Sequence, residues 1–297
     1  MKIFDCTTYF DEELMMDVRF NILNEYVEKF IVVESKYSHS GRKKNLRFNL
    51  DNYKKFKDKI IYLVIDKEPD DLIPKGTVHE NVFKRLNSIK RIELSYDFMQ
   101  KAIKDVADDD LIILSDNDEI PNLKSNQFQN TNKKIIFFKQ LLFYYKFNLF
   151  YDSMSWFGSK ACKKKYLKSF SWLNNLKTKK YPIWRLDTLF SKNKVNNLEI
   201  INDGGWHFTN IKTPEDLYEK FKNFGHHDEF DDSGITLEKL KEYIDNGIVF
   251  YNHKLDKKNP QKWNFDYKLK RVDNSFLPKY LVDNKSKYIN WFKTLND

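Results

Sequence analysis

The sequence has almost no cysteine: Cys6 and Cys162 are the only two among 297 residues. Two thiols so far apart make neither a disulfide framework nor a metal cluster by spacing, and a reducing compartment suits them best. No apolar run approaches the ~18 residues that span a bilayer, so no transmembrane segment is expected. The opening residues, MKIFDCTTYFDEEL, reach acidic side chains too soon for a signal peptide. Internal repeats and long low-complexity linkers are missing as well. These absences lead us to expect a soluble chain, cytoplasmic or in another reducing compartment, free or peripheral to a membrane.

What is present can bury a sizeable core, with 41% hydrophobic and 16% aromatic residues. The 52 Lys+Arg against 43 Asp+Glu leave a net charge of +9. That charge suits an anionic partner such as a nucleotide, a nucleic acid or an acidic membrane surface, but it is spread widely enough that a solvated lysine-rich surface also accounts for it. Short apolar runs at Phe30-Val33, Ile60-Ile65, Leu111-Leu114 and Ile135-Phe138 read as buried strands. Between them, Leu14, Val18, Ile22 and Tyr26 recur at helical spacing, and Val82, Phe83, Leu86 and Ile89 mark the face of a second helix. This alternation predicts a parallel sheet flanked by helices, whose ligands sit beyond the carboxyl ends of the strands. After Ile135 the chain is strand-rich and aromatic, then basic and irregular from Lys160 to Lys180, which suggests an acceptor-side elaboration. A helix is expected from Leu237 to Ile244.

The most informative stretch runs from Asp108 to Pro121, where the apolar Leu111-Ile112-Ile113-Leu114 delivers Ser115-Asp116-Asn117-Asp118-Glu119 to a strand end. Hard divalent cations take oxygen ligands, and magnesium or manganese sites combine one or two carboxylates with substrate phosphates. Asp116 and Asp118 meet that need if the chain turns after Ser115. A helix cap, a solvated turn or an aspartate nucleophile are the alternatives for this motif.

At this point the sequence resembles glycosyltransferase family 17, the β-1,4-N-acetylglucosaminyltransferase family that includes the bisecting enzyme of N-glycan processing. The resemblance rests on Lys2-Ile3-Phe4-Asp5 with Phe10-Asp11-Glu12-Glu13-Leu14 and Arg19, on Val33-Glu34-Ser35 followed by His39-Ser40-Gly41, and on Leu111 to Pro121. Trp156 with Gly158 and Lys160, and Gly205-Trp206-His207-Phe208-Thr209, add to it. Lys44 and Arg85 keep step with the family pattern while their neighbours depart from it. The resemblance implies a GT-A type, Rossmann-like, mainly parallel α/β fold. We divide it into a catalytic domain over residues 1–235 (donor half about 1–125, acceptor half about 126–235) and a helical C-terminal extension over 236–297 packed on it.

Glu34, at a strand end, can reach a ligand at the sheet edge or simply close a loop, and the resemblance implies that it contacts nucleotide together with Ser35, His39 and Gly41. Lys44 and Arg85 could neutralise a diphosphate. The resemblance suggests His207 as a third metal ligand beside Asp116 and Asp118, a core or acceptor-contacting histidine being the alternative, with manganese or magnesium as the cation and UDP-N-acetylglucosamine as the donor. Trp156 and Trp206 are the expected acceptor contacts, the partner being a glycan or glycoprotein and not a nucleic acid. Family members invert the anomeric centre, which calls for a carboxylate base that is not a metal ligand. Asp187 is our choice, with Asp203 as the alternative. His226, His227 and Glu229 are weaker candidates, in a loop that could cover the donor. The rival functions are metal-dependent nucleotidyl transfer or phosphodiester hydrolysis, and a basic glycan- or nucleic-acid-binding module.

Overall fold

The computed structural model describes residues 1–294 apart from 183, 224–226, 256–258, 260, 261 and 264. Strand and helix alternate at first: β1 (Ile3–Tyr9), α1 (Glu13–Leu23), β2 (Lys29–Ser35), β3 (Ile60–Ile65), α2 (Glu80–Asp97) and β4 (Leu111–Ser115). The short β5 (Glu119–Pro121) and α3 (Asn126–Gln129) follow, then β6 (Ile135–Tyr144), β7 (Leu149–Phe150) and β8 (Trp156–Lys163). Next come α4 (Phe170–Asn175), α5 (Asp187–Phe190), β9 (Leu198–Ile201), β10 (Gly205–Thr209), α6 (Pro214–Asn223) and α7 (His227–Ser233). The last elements are α8 (Leu237–Asp245), β11 (Ile248–Val249), β12 (Tyr267–Lys268), β13 (Lys270–Arg271) and α9 (Lys279–Asp283).

The fold is α/β with a Rossmann-like, mainly parallel core, as the strand–helix alternation implied. β3, β2, β1 and β4 lie side by side and parallel, with Thr7 of β1 opposite both Val32 and Ser115. β8 then pairs antiparallel with β4 on one side and β6 on the other. Along each central strand the side chains alternate between two cores. Phe30 and Val32, with Leu111 and Ile113, pack beside Met16, Phe20 and Leu23 of α1. Ile31, Val33, Ile112 and Leu114 face the opposite layer, with Tyr96, Met99, Phe170 and Leu173. Strand order reverses at β1, since β2 and β3 extend to one side and β4 lies on the other. Loops must diverge at such a switch point, opening a crevice at the carboxyl ends of β1 and β4.

Two expectations need correction. The inward face of α2 is not Val82 and Leu86, which are exposed, but Asn87, Ser88, Ser95 and Tyr96. The polar side chains there serve the backbone: Asn87 Oδ1 accepts from Ile73 N (2.8 Å) and its Nδ2 donates to Ile73 O (3.0 Å). Residues 236–297 are not purely helical either. They include the β11–β12 hairpin and also β13, which pairs with β7 and so extends the main sheet. Among the described residues no helix is long and apolar enough to cross a membrane.

Candidate active site

A cavity of about 390 Å³ opens at the switch point, within the size range of small-ligand sites. Thr8, Tyr9 and Phe10 line it from the end of β1, Ser35 from β2, and Arg85, Ile92, Ser95 and Tyr96 from α2. β4 ends at Ser115 and the chain turns, with Glu119 N donating to Asp116 O (3.1 Å), so that Asp116, Asn117 and Asp118 all reach the cavity. Buried groups fasten this acidic turn from behind. Arg19 is fully buried and grips Asp5 with two nitrogens (Nε–Oδ2 2.7 Å, Nη2–Oδ1 2.5 Å). Its Nη1 donates to the carbonyls of Asp116 (3.2 Å) and Glu119 (2.6 Å). Glu119 is buried too, accepting from Trp156 Nε1 (2.7 Å) and Asp116 N (3.0 Å). The close passage of Glu119 explains Gly158, where a Cβ would stand 2.7 Å from the Glu119 carboxyl carbon.

The carboxylates differ in charge state. Burial and the neighbouring charges of Glu119 and Asp118 push Asp116 up to about 7, although Tyr96 OH donates to its Oδ1 (2.7 Å). For Asp118 burial acts in the same direction, but His207 outweighs it and holds the carboxyl at about 2. The pair stands at 3.3 Å, Nε2 to Oδ1, and raises the imidazole in turn, overcoming the opposing effect of burial. His207 Nδ1 is buried without a hydrogen-bond partner. Beyond His207 the wall is aromatic: Trp156 lies 4.7 Å from it ring to ring, and Tyr144, Tyr251 and His253 continue the surface. Tyr144 OH meets His253 Nε2 and also donates to Tyr251 OH (3.2 Å). Burial and the His207 charge push His253 down to about 3, so it is neutral at physiological pH.

The sequence profile of glycosyltransferase family 17 matches residues 1–164, more than half of the chain and the whole span that builds β1 to β8. The chain belongs to glycosyltransferase family 17. No curated protein matches the sequence. Among solved structures it is similar to HddC from Yersinia pseudotuberculosis complexed with GMP-PN, at 14% identity and a TM-score of 0.35, over 74% of this chain and 97% of that one. It is also similar to the inositol-1-phosphate CTP transferase from T. maritima, at 13% identity and a TM-score of 0.32, over 74% and 96%.

In this glycosyltransferase the fold brings together Ser35, His39, Lys44, Arg85, Asp116, Asp118, Trp156 and His207, all lining the one cavity. Glu34 is not among them. Its buried carboxylate is occupied by Lys44 Nζ, the backbone N–H groups of Arg47 (2.9 Å) and Phe48 (3.0 Å), and Tyr62 OH (2.8 Å), so it anchors the loop that carries Lys44. Gly41 shapes the same loop, with φ +90°, a left-handed conformation, and with Arg91 packed where a side chain would begin. Trp206 and His207 are adjacent on β10 and point to opposite faces. Only His207 lines the cavity, while Trp206 donates to Phe276 O (2.8 Å) on the other side. Asp187 is exposed and held by Arg185 (2.7 and 2.8 Å) and Lys194 (2.7 Å), and Asp203 accepts from Asn122 (2.8 Å). Neither aspartate lines the cavity, so the structure does not support either as the base. His226 lies outside the described residues, as do the side chains of His227 and Glu229.

Sequence reasoning missed Glu12, Tyr96, Glu119, Tyr144, Tyr251 and His253. Glu119 was adjacent to the motif, but nothing local shows that it turns inward. Among the described residues no group of three or more His, Cys, Asp or Glu side chains is arranged to hold a metal ion. The donor set still fits a hard cation as a partial shell. Two carboxylates share one turn of the cavity, burial and the charges of Glu119 and Asp118 keep Asp116 raised, and a buried imidazole nitrogen lacks a partner.

Proposed function

We propose that this glycosyltransferase transfers N-acetylglucosamine from UDP-N-acetylglucosamine to a glycan hydroxyl with inversion, and that its activity depends on a divalent cation. The main support is the presence of Asp116 and Asp118 on one turn of a cavity at the switch point, with Lys44 and Arg85 in the same lining. When bound, manganese or magnesium would offset the negative charge developing on the leaving nucleoside diphosphate. Asp116 and Asp118 would hold it, with His207 beside them. Arg85, Lys44 and Lys220 bring cationic groups to the lining, suited to phosphate oxygens. Trp156, Tyr144 and Tyr251 give the acceptor sugar an aromatic wall.

Direct inversion needs a carboxylate to take the acceptor proton. Among the described residues the carboxylates lining the cavity are Glu12, Asp116 and Asp118, and with the latter two given to the cation we assign the base to Glu12. Burial raises its carboxyl, but Lys212 and Lys220 outweigh that and keep it lowered, hence ionised at neutral pH. Its two hydrogen bonds, from Phe10 N (2.9 Å) and Asp11 N (3.0 Å), both fall on Oε2.

Calorimetric titration with UDP-N-acetylglucosamine tests the donor site, and product analysis tests the reaction. Binding is expected with manganese and not with chelator, and is expected to be lost in Asp116→Asn and Asp118→Asn. The expected products are UDP and a β-linked sugar. Release of pyrophosphate, or equal donor binding with and without chelator, would overturn the reading.

A further inference from the structure

The strongest feature outside the cavity is the segment over residues 176–194. It leaves the fold near the site: Lys160 Nζ donates to Leu176 O (3.3 Å), and Lys160 pairs in register with Leu114, near the carboxyl end of β4. The segment closes at its base, with Lys177 N donating to Asn193 O (2.8 Å) and Trp172 Nε1 to Lys192 O (2.9 Å). Inside it Thr188 is buried, donating to Arg185 O (2.7 Å) and accepting from Asn196 Nδ2 (2.7 Å). An anchored loop would ordinarily tuck its large apolar side chains inward. Here Trp184, Leu186 and Phe190 are 81%, 69% and 89% exposed. Leu186, the helical-backbone cap before α5, and Phe190, its last residue, are four apart, so they share a face.

Around these side chains the charge is strongly one-sided. Residues 176–194 hold six basic side chains, Lys177, Lys179, Lys180, Arg185, Lys192 and Lys194, and a single acidic one, Asp187, a net +5. Asp187 is paired with Arg185 and Lys194, and Lys180 with Glu199 (3.1 Å). Lys177, Lys179 and Lys192 are exposed and form no ion pair with a described residue. Exposed large apolar groups mark an interaction surface. Lysine is depleted in interfaces between proteins, whereas tryptophan, phenylalanine and leucine set among lysines suit the headgroup region of a bilayer. We propose that the loop over residues 176–194 docks the enzyme on an anionic lipid surface, with Trp184, Leu186 and Phe190 entering the headgroup layer and the lysines facing acidic lipids. Neither contribution suffices alone, since stable attachment takes an apolar and a basic component together.

The test is co-sedimentation of the full chain with vesicles of phosphatidylcholine, alone or mixed with phosphatidylglycerol, at low and high salt. Binding is expected to the mixed vesicles only, and to weaken with salt. Trp184→Ser with Phe190→Ser should lower affinity by roughly tenfold or more per side chain lost, and Lys177→Gln, Lys179→Gln and Lys192→Gln by about fivefold each. Unchanged thermal midpoints in these exposed-site variants show that the fold is kept. The proposal is overturned by wild-type protein that stays in the supernatant with mixed vesicles, or that pellets equally with neutral ones. It is equally overturned if the serine variant pellets like wild type, or if gel filtration shows a wild-type dimer that becomes monomeric in that variant without any vesicle binding, which would make the patch an interface between copies.

Discussion

Replacing Asp116 by asparagine should stabilise the protein while disabling it. In the folded chain Asp116 is raised from 3.8 to about 7, first by burial and then by Glu119 and Asp118. Below pH about 4 the group is neutral whether folded or unfolded, and asparagine brings no electrostatic gain. Between about 4 and 7 the native state keeps a proton that the unfolded chain has released, so wild-type stability falls as pH rises, and above 7 the loss is complete. A shift of about three units corresponds to ~4 kcal/mol in a dry site, at 1.36 kcal/mol per unit. The carboxylate opens onto the cavity and is accessible to solvent, and screening there reduces the figure to about 1–2 kcal/mol. Asparagine keeps an oxygen to accept from Tyr96, so the comparison isolates the charge. For a chain of this size the variant should melt roughly 2–3 °C above wild type at pH 8 and level with it near pH 4, both in chelator. Manganese with UDP should raise the wild-type midpoint and leave the variant where it was. A variant that melts below wild type at pH 8, or whose advantage does not change with pH, would refute the raised Asp116 carboxyl on which this reasoning rests.

Arg19→Ala removes one partner of a fully buried pair and leaves the Asp5 carboxylate uncompensated, so denaturant unfolding should show a loss of about 3–5 kcal/mol; a loss below 1 kcal/mol would mean that the pair does not hold the acidic turn. Glu12→Gln should cut transfer by roughly 10²-fold with donor affinity near wild type, whereas Asp187→Asn should leave transfer almost unchanged. The reverse ranking in steady-state rates would return the base to Asp187. Gly158→Ala would press a methyl group against Glu119 and Gln140 and should destabilise by about 1–3 kcal/mol in thermal or urea melts.

The parallel core was legible because its strands are short apolar runs rich in branched residues, and β2, β3, β4 and β6 begin within a residue of where those runs begin. Asp116 and Asp118 were legible because a polar turn at the end of such a strand has few places to go in this topology. α2 misled for a physical reason: its inward side chains are polar, with Asn87 satisfying loop backbone at Ile73, Ser95 bonding the Arg91 carbonyl and Tyr96 the Asp116 carboxylate, and apolar periodicity is blind to that work. Asp187 lies outside the cavity, and it carries no local sign that Arg185 and Lys194 will claim it. His253 was invisible, since only the return of the C-terminal segment across β6 brings it to the cavity.

That return has a temporal side. Phe147 N donates to Trp291 O (2.8 Å), Asn148 exchanges hydrogen bonds with Lys293 (2.8 and 2.9 Å), and Tyr288 OH reaches Asp17 on α1 (2.6 Å). Translation delivers α1 and the turn after β6 well before the residues of the C-terminal segment that clasp them together. A chain still on the ribosome would carry Phe147 uncovered by its partners Tyr288 and Phe292. Losing the residues from Tyr288 onward would open this buried ring of the core to solvent.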